Sequence, residues 1–152
     1  MATGTATLFN EEALDSRKGV HVLGTNTLKL VIIDNTTPPA ADDATPRYSD
    51  YSANEVSNAG GYTTGGITLT TVTYTMISDV ATLKADDILL AMDAGGFTDG
   101  YYAILINDSA TNKEAIGFWD LGGPVSEQAG PVSLEFPDGV VAEFPANIPA
   151  AA

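Results

Sequence analysis

Carboxylates are abundant in this sequence and could do chemistry. Two carboxyl groups held close together can hydrolyse a glycosidic bond, one as an acid and the other as a base or nucleophile. With 20 acidic residues in 152, however, chance neighbours are expected, and no spacing in the sequence pairs any two of them. Most lie beside Gly, Asn, Ser or Thr in predicted turns, where aspartate bonds the local backbone. We therefore predict no catalytic residue; the carboxylates considered are Asp34, Asp87, Asp93, Asp99, Asp108 and Asp120.

Oxygen ligands suited to calcium occur on two predicted loops. Asp42 and Asp43 lie on one of them, and Asp93 and Asp99 lie on the other. Neither loop follows the alternating ligand spacing of a helix-loop-helix calcium site or supplies its closing glutamate. The only histidine, His21, lies between two valines, and the chain has no cysteine that could complete a zinc site. The sequence favours turn chemistry and leaves a surface calcium open; we predict no metal and no cofactor.

Glycine-rich and aromatic segments offer two further kinds of binding site. Residues 60–66, Gly-Gly-Tyr-Thr-Thr-Gly-Gly, lack the following Lys-Ser/Thr and helix of a phosphate-binding loop, so they predict a tight bend before a strand. No Gly-x-Ser-x-Gly elbow marks a seryl nucleophile. The pairs Tyr101-Tyr102 and Phe118-Trp119 could form a platform for sugars, but alternation along strands would bury one member of each pair. Core packing or a subunit contact is the favoured interpretation.

The charge balance excludes several classes of partner. The chain has 20 acidic and 6 basic residues and a net charge of −14, so few side chains could neutralise phosphates. We expect no nucleic acid and no membrane among its partners. The length suits one domain with a hydrophobic core, and the absence of cysteine excludes disulfides. No apolar run reaches the roughly 18 residues of a membrane helix, and the first residues lack the features of a signal peptide. We expect a soluble protein made in the cytoplasm.

The strongest structural signal is the stretch from Tyr101 to Asp120, which predicts two strands joined by a polar turn. It contains the only tryptophan of the chain. A second strong strand is predicted from Thr27 to Asp34, and the continuous apolar run at its end indicates burial on both faces. Leu8 to Lys18 predicts the single helix, with acidic residues in its first turn and Gly19 after its end.

Shorter strands and one long loop complete the prediction. Ile67 to Met76 alternates, with a β-bulge expected at Thr70-Thr71. Pro137-Asp138-Gly139 predicts a hairpin turn between the last two strands. The proline-rich residues 35–50 predict a loop that is functional, contacts a neighbour or is mobile. The remaining predicted strands are Val80 to Leu83, Asp87 to Asp93, Ser133 to Phe136 and Val140 to Phe144.

These elements predict an all-β fold, mainly an antiparallel β-sandwich or open barrel, with one short N-terminal helix. We divide the chain into an N-terminal arm at 1–7, a single β-rich domain at 8–144, and a C-terminal Pro/Ala arm at 145–152. The arms are small, polar or proline-rich, and we expect them to be flexible or extended.

Three stretches, in this order, resemble a family of small virion structural proteins of tailed bacteriophages. They are the strand from Thr27 through Asn35-Thr36-Thr37-Pro38, the bend at 60–66, and the hairpin that ends in Gly117-Phe118-Trp119-Asp120. The resemblance covers most of residues 8–140. The chain departs from the family pattern in its proline-rich loop, in the front helix that Gly19 breaks, and in its tail.

The resemblance implies a non-enzymatic particle component, most specifically a capsid decoration (cement) protein on the virion exterior, assembled in the host cytoplasm. It implies the major capsid protein as partner and a homo-oligomer, with a trimer favoured. The alternative is a tail or fibre component that binds host surface glycans through exposed aromatics such as Trp119.

Arms and long loops suit contacts on a lattice, where many copies bind together. We therefore expect the interface on both arms and the proline-rich loop, and we expect arm deletions to weaken particle binding but leave the fold intact. The candidate interface residues are Thr3, Thr5, Pro38, Pro39, Pro46, Tyr48, Tyr51, Tyr62, Pro145, Ile148 and Pro149.

Overall fold

The computed structural model describes residues 2–145 and is mostly antiparallel β-sheet, with 38% strand and 11% helix. This confirms the predicted all-β class. The strands are β1 (Ala2–Thr3), β2 (Thr7–Leu8), β3 (Leu28–Ile33), β4 (Ile67–Thr68), β5 (Thr73–Ile77), β6 (Val80–Lys84), β7 (Ile88–Leu90), β8 (Gly100–Asn107), β9 (Ala115–Val125), β10 (Val132–Glu135) and β11 (Val140–Phe144). The helices are α1 (Glu12–Arg17) and the short α2 (Tyr48–Tyr51), with 3₁₀ turns at Ser52–Asn54 and Pro137–Gly139.

The central sheet has five strands in the order β2-β9-β8-β3-β4. β8 and β9 form the predicted hairpin. β3 pairs antiparallel with β8 along its whole length, from Leu28 opposite Asn107 to Ile33 opposite Tyr102. Since β3 and β8 carry the densest apolar runs, they lie in the middle of this sheet, where both of their faces can be buried.

Two outer sheets, β1-β10-β7 and β11-β6-β5, have three strands each. Leu30 and Leu105 of the central sheet belong to the same core cluster as Leu83 and Leu134 of the outer sheets. Alternation along each strand sends one set of side chains into this shared core. The arrangement is β-sandwich-like, and the described pairings are antiparallel except for β1 with β10.

The opposite face of the central sheet is buried under the segment that follows β3. Tyr51 of α2 and Phe9 pack over this face, with their ring centroids 6.3 Å apart. The prediction that the end of β3 is buried on both faces is therefore confirmed. The sheet residues under this cover are Val31, Ile33, Ile104, Ile106 and Ala115.

The proline-rich loop at 35–50 is held by its own chain. The Ala115 N–H donates to the carbonyl of Pro46 at 2.9 Å, and the Asn10 N–H donates to the carbonyl of Ala41 at 2.8 Å. The loop is long because it covers a sheet face that would otherwise be exposed. This coverage accounts for its length without a neighbouring molecule, which the sequence alone did not suggest.

Residues 2–7 are also bound to the body of the chain. β1 pairs with β10, β2 pairs with β9, and the Ala6 N–H donates to the carbonyl of Val141 at 2.9 Å. The prediction of a flexible arm at 1–7 is therefore wrong for residues 2–7. β2 can lie close to β9 because residue 117 is glycine: the carbonyl oxygen of Thr7 would lie 2.7 Å from a Cβ added at Gly117. The predicted C-terminal arm beyond Pro145 lies outside the described residues.

Three further predictions about local structure are corrected. The strand expected from Ile67 to Met76 is divided between two sheets as β4 and β5, with Thr71 at a φ of +54° between them in place of a bulge. The Pro137–Gly139 turn does not close a hairpin, because β10 pairs with β7 and β11 pairs with β6. The helix is shorter than predicted, since Leu8 lies in β2, and helical turns also occur mid-chain. Gly19 has the positive φ, +80°, expected after the helix.

In the part of the chain between residues 2 and 145, neither helix has the length and hydropathy needed to cross a membrane.

Candidate interaction surface

The structure separates the predicted interface residues into exposed and buried groups. Thr3, Thr5, Pro38 and Pro145 are exposed, and Tyr48 is half-buried. Ile148 and Pro149 lie outside the described residues. The remaining candidates are buried within this chain, so they cannot contact a partner without unfolding: Pro39, Pro46, Tyr51 and Tyr62.

Tyr62 is buried beside β3, where its hydroxyl takes the place of a strand partner for Ile32, which β4 does not reach. Its hydroxyl donates to Oε1 of Glu55 at 2.6 Å and accepts the Ile32 N–H at 3.1 Å. Burial and the bond to Glu55 raise the pKa of Tyr62 far above its ordinary value. Tyr48 donates to the other oxygen of Glu55 at 2.6 Å, and burial with that bond raises the pKa of Tyr48 to about 12. Both tyrosines are therefore neutral structural donors.

Tyr51 has a similar structural role in the proline-rich loop. Its hydroxyl donates to Oδ2 of Asp43 at 2.8 Å, and the same oxygen accepts the Ala40 N–H at 3.0 Å. Burial, followed by the bond to Asp43, raises the pKa of Tyr51. Asp43 thus joins α2 to the proline-rich loop through its Oδ2 atom.

Phe118 and Trp119 form no exposed platform for sugar binding, whereas Tyr101 and Tyr102 are both half-buried. Trp119 is 4% exposed, packs on Phe136 at 5.7 Å between ring centroids, and donates its Nε1–H to the carbonyl of Gly4. Phe118 packs on Phe9 on the opposite face of the sheet at 5.1 Å. Alternation along β9 places the two rings on opposite faces, as the sequence predicted, and here a second layer covers each face.

The candidate catalytic carboxylates have local partners. Asp93 and Asp120 each accept a backbone N–H two residues ahead, and Asp87 accepts the Phe136 N–H at 2.7 Å. Asp108 binds Lys113 at 2.8 Å and Lys29 at 3.3 Å, and these bonds lower its pKa. Within the described range, no group of three or more His, Asp or Glu side chains is placed to hold a metal ion.

His21 lies in a buried polar cluster beneath α1. Its Nδ1 is 3.1 Å from Nδ2 of Asn107, and its Nε2 is 4.0 Å from Oδ2 of Asp15. Burial lowers the pKa of His21, while the nearby Glu114 acts to raise it. Burial also raises the pKa of Asp15, so the Asp15–His21 pair is not a strong ion pair. The adjacent concavity of about 410 Å³ is lined by polar residues such as Asn112, and His21 does not line it.

Glu127 is the most completely enclosed charged side chain described, at 1% exposure. Its Oε1 accepts the Gly61 N–H at 2.7 Å, and its Oε2 has no hydrogen-bond partner among the described residues. A Cβ added at Gly96 would lie 2.5 Å from Oε2. Glycine is therefore required there by lack of space, and the carboxylate joins two loops.

The exposed apolar side chains mark a surface that the sequence interpretation missed. All residues of β5 are exposed, including Tyr74 at 38%, Met76 at 64% and Ile77 at 41%. β5 is an edge strand, since only β6 pairs with it among the strands of residues 2–145. An edge strand with apolar side chains and no protecting charge can pair with another chain.

A sequence signal for this surface exists in the distribution of charge. No charged residue occurs between Glu55 and Asp79, although 26 of the 152 residues are charged. Natural edge strands usually carry Lys, Pro or a bulge that prevents pairing, and β5 carries none of these. The alternation from Ile67 to Met76 predicts a strand, but alternation alone cannot distinguish an edge strand from an inner one.

The chain matches no protein-family model, and no curated protein or solved structure shows significant similarity to it.

Proposed function

We propose that this chain is a non-enzymatic structural protein of a bacteriophage particle. In its specific form, the proposal is a capsid decoration protein that binds the major capsid protein lattice on the virion exterior as a homo-oligomer. The ordered motifs from Thr27 to Asp120 support the virion class by resemblance. The edge strand β5 supports an assembly role, and it is the observation that carries the proposal.

The exposed apolar edge of β5 is costly for a protein that works alone. An edge strand with exposed Tyr74, Met76 and Ile77 invites unwanted pairing and aggregation, so soluble proteins usually protect it. A protein that works inside an assembly has a use for such a strand, because its main-chain groups and apolar side chains become buried on assembly. Because β5 carries no charged side chain, two copies of this acidic chain meet there without charge repulsion between the strands themselves.

Lattice contacts are assigned to the exposed members of the predicted interface. Thr3 and Thr5 belong to the N-terminal segment that pairs with β9 and β10, Pro38 to the loop over the central sheet, and Pro145 to the end of the described chain. Each contact is small, so affinity for a capsid would come from many copies that bind together.

Reconstitution on capsids tests the proposal. Purified protein is added to capsids assembled without it, and bound protein is located by cryo-electron microscopy. We expect density on the capsid exterior at symmetric positions. Met76→Lys should reduce occupancy, and Met92→Lys is its matched control, since Met92 is 60% exposed against 64% for Met76 but lies outside β5.

The same experiment separates the alternatives. Protein that leaves capsids undecorated but is found on the tail supports a tail or fibre component. If the purified protein binds host cells when no capsid is present, the glycan-binding alternative is favoured. Absence of the chain from every part of the particle would overturn the proposal of a virion protein.

A further inference from the structure

We propose that β5 pairs with β5 of a second copy of this chain, antiparallel, about a two-fold axis through Thr75. The inference takes from the proposed function only the premise that β5 is an assembly edge, and it names the occupant of that edge. The product is a dimer with one continuous sheet across both copies, rather than the trimer that the resemblance favours.

Main-chain geometry defines which groups of β5 are available. β5 and β6 are joined by Ser78 and Asp79, whose φ values of +50° and +66° are those of a two-residue hairpin turn. In such a hairpin the closing pair, Ile77 with Val80, exchanges main-chain hydrogen bonds, and bonded pairs then alternate. Thr73 and Thr75 are thus bonded inward to β6. The N–H and C=O groups of Tyr74 and Met76 point toward the free edge.

Those outward groups match a two-fold axis through Thr75. The axis places Tyr74 opposite Met76 of the second copy, and Met76 opposite Tyr74 of the second copy. Residues directly opposite in a hydrogen-bonded antiparallel pair exchange both main-chain bonds. The outward N–H and C=O groups of both Tyr74 and Met76 therefore find hydrogen-bond partners in β5 of the second copy. An axis through Tyr74 would place Met76 opposite Val72 of the second copy, which lies outside β5. An axis through Met76 would place Tyr74 opposite Ser78, which lies in the turn.

The side chains are complementary in the same register. Each Tyr74 ring lies beside a Met76 thioether, a pairing with a favourable sulfur–aromatic contact. Tyr74 already packs edge-on against Phe144 at 5.7 Å, which fixes its ring on that face. On the other face, Thr75 meets Thr75 of the second copy, and Thr73 meets Ile77. Aromatic, β-branched and Thr–Thr cross-strand pairs are those that stabilise sheets.

For two copies of this chain, charge favours contact through β5 over contact through most other surfaces. With a net charge of −14, most surfaces of this protein repel a second copy. In the proposed register Asp79 lies opposite Thr71, so no like charges face each other along the paired strands. Within Thr73–Ile77 neither copy carries an acidic side chain. Asp79 and Asp86, which accepts the Thr71 hydroxyl at 2.6 Å, lie only at the two ends of the contact.

The strand pair by itself buries little surface, so we expect a weak dimer in dilute solution. Stable interfaces usually bury more than about 1,200 Å², which a single pair of five-residue strands does not reach. On a lattice, high local concentration compensates for weak pairing. The test must therefore trap a transient contact.

A cysteine crosslink traps it at one position, and the chain has no native cysteine that could interfere. Under the two-fold pairing, the Thr75 positions form a non-hydrogen-bonded pair with Cα atoms about 4.5 Å apart, which suits a disulfide. Thr73→Cys is the matched control on the same strand and face. Its two positions would lie more than about 13 Å apart, beyond disulfide reach.

We expect Thr75→Cys to form a covalent dimer under mild oxidation at least about tenfold faster than Thr73→Cys, because pairing raises the local concentration. Adding Met76→Lys to Thr75→Cys should remove the difference, whereas adding Met92→Lys should not. Equal rates for the two cysteine variants would overturn the pairing, as would sedimentation of the wild type as a pure trimer.

Measuring capsid binding beside crosslinking tests strand pairing and the decoration function independently. Rapid Thr75→Cys crosslinking without capsid binding would leave the pairing standing and overturn the decoration function. Capsid binding with equal crosslinking rates would do the reverse. In that case β5 is occupied by a strand of another protein.

Discussion

The indole Nε1–H of Trp119 donates a hydrogen bond of 2.9 Å to the carbonyl oxygen of Gly4. The bond joins the first residues of the chain to the middle of β9, 115 positions away in the sequence. Trp119 also packs on Phe136, close to the end of β10, which pairs with β1. One side chain therefore fixes the N-terminal segment to the central sheet and to an outer sheet at the same time.

Replacing Trp119 by Phe tests this bond while keeping an aromatic ring. We expect a loss of about 1 kcal/mol in the free energy of unfolding for the hydrogen bond. Trp119→Ala should cost about 3–5 kcal/mol, because it also leaves a cavity. Urea unfolding followed by circular dichroism is the suitable measurement, since both variants remove the only tryptophan fluorophore. A Phe variant as stable as the wild type would show that the bond contributes nothing.

Deleting residues 2–7 should destabilise the isolated protein, contrary to the expectation for a free arm. The deletion removes β1, half of β2 and the main-chain bond from Ala6 to Val141. The midpoint of urea unfolding should therefore fall. If the truncated chain unfolds at the same urea concentration as the full chain, the attachment seen here does not contribute to stability.

Tyr62→Phe should destabilise the fold more than Tyr48→Phe. Loss of the Tyr62 hydroxyl removes a donor to Glu55 and leaves the buried Ile32 N–H without its acceptor, a cost of about 1–3 kcal/mol. The half-buried Tyr48 loses only its bond to Glu55, and we expect about 1 kcal/mol or less. Chemical denaturation of both variants gives the comparison. Equal losses would contradict the role assigned to the Ile32 contact.

Gly96→Ala should destabilise the protein and Gly95→Ala should not. A Cβ at residue 96 would lie 2.5 Å from Oε2 and 2.6 Å from Cβ of Glu127, so two loops must separate. Such overpacking costs about 1–3 kcal/mol. At the exposed Gly95 the nearest atom would be Oδ1 of Asp93 at 3.4 Å, an ordinary contact. Thermal unfolding of the two neighbours measures the difference, and tolerance of alanine at both would contradict the enclosure of Glu127.

The single histidine allows a direct titration by NMR. We expect the pKa of His21 to lie below 6.5, because burial disfavours its charged form. Glu114 acts in the opposite direction, so Glu114→Gln should lower the pKa of His21 further. A midpoint at or above 6.5, or a rise in the Gln variant, would contradict this account.

The sign for stability follows from linkage. The lowered pKa of His21 contributes stability that is present above pH 6.5 and is lost as the pH falls through the folded-state pKa. Glu12 and Asp15 have pKa values raised mainly by burial, so their contribution is present below their ordinary values and is lost as the pH rises. Because the two effects oppose each other, the titration is a cleaner test than the stability curve.

Local pattern determined much of the fold. Alternation and β-branched composition located β3 and the hairpin of β8 and β9, and the apolar run at Val31–Ile33 correctly indicated burial on both faces. Gly19 marked the end of α1. These features depend on neighbours in the chain, so a single sequence contains the information.

Pairing between distant segments was decided only by the tertiary structure. Residues 2–7 are small and polar, yet they are held because β9 and β10 offer free main-chain groups and Trp119 offers a donor. The Asp138-Gly139 turn suggested a hairpin, but β10 pairs with β7 in one sheet and β11 pairs with β6 in another. Tyr51 and Tyr62 were expected outside and are buried by hydrogen bonds to carboxylates.

The exposed edge of β5 was also predictable only in part. The residue order alone shows that no charged side chain lies between Glu55 and Asp79, although the chain is acidic. Whether such a stretch is an inner or an edge strand depends on which strands lie beside it. The folded chain is needed to see that β5 pairs only with β6 among the described strands, because hydrogen-bond pairing between strands joins segments that a single sequence does not relate.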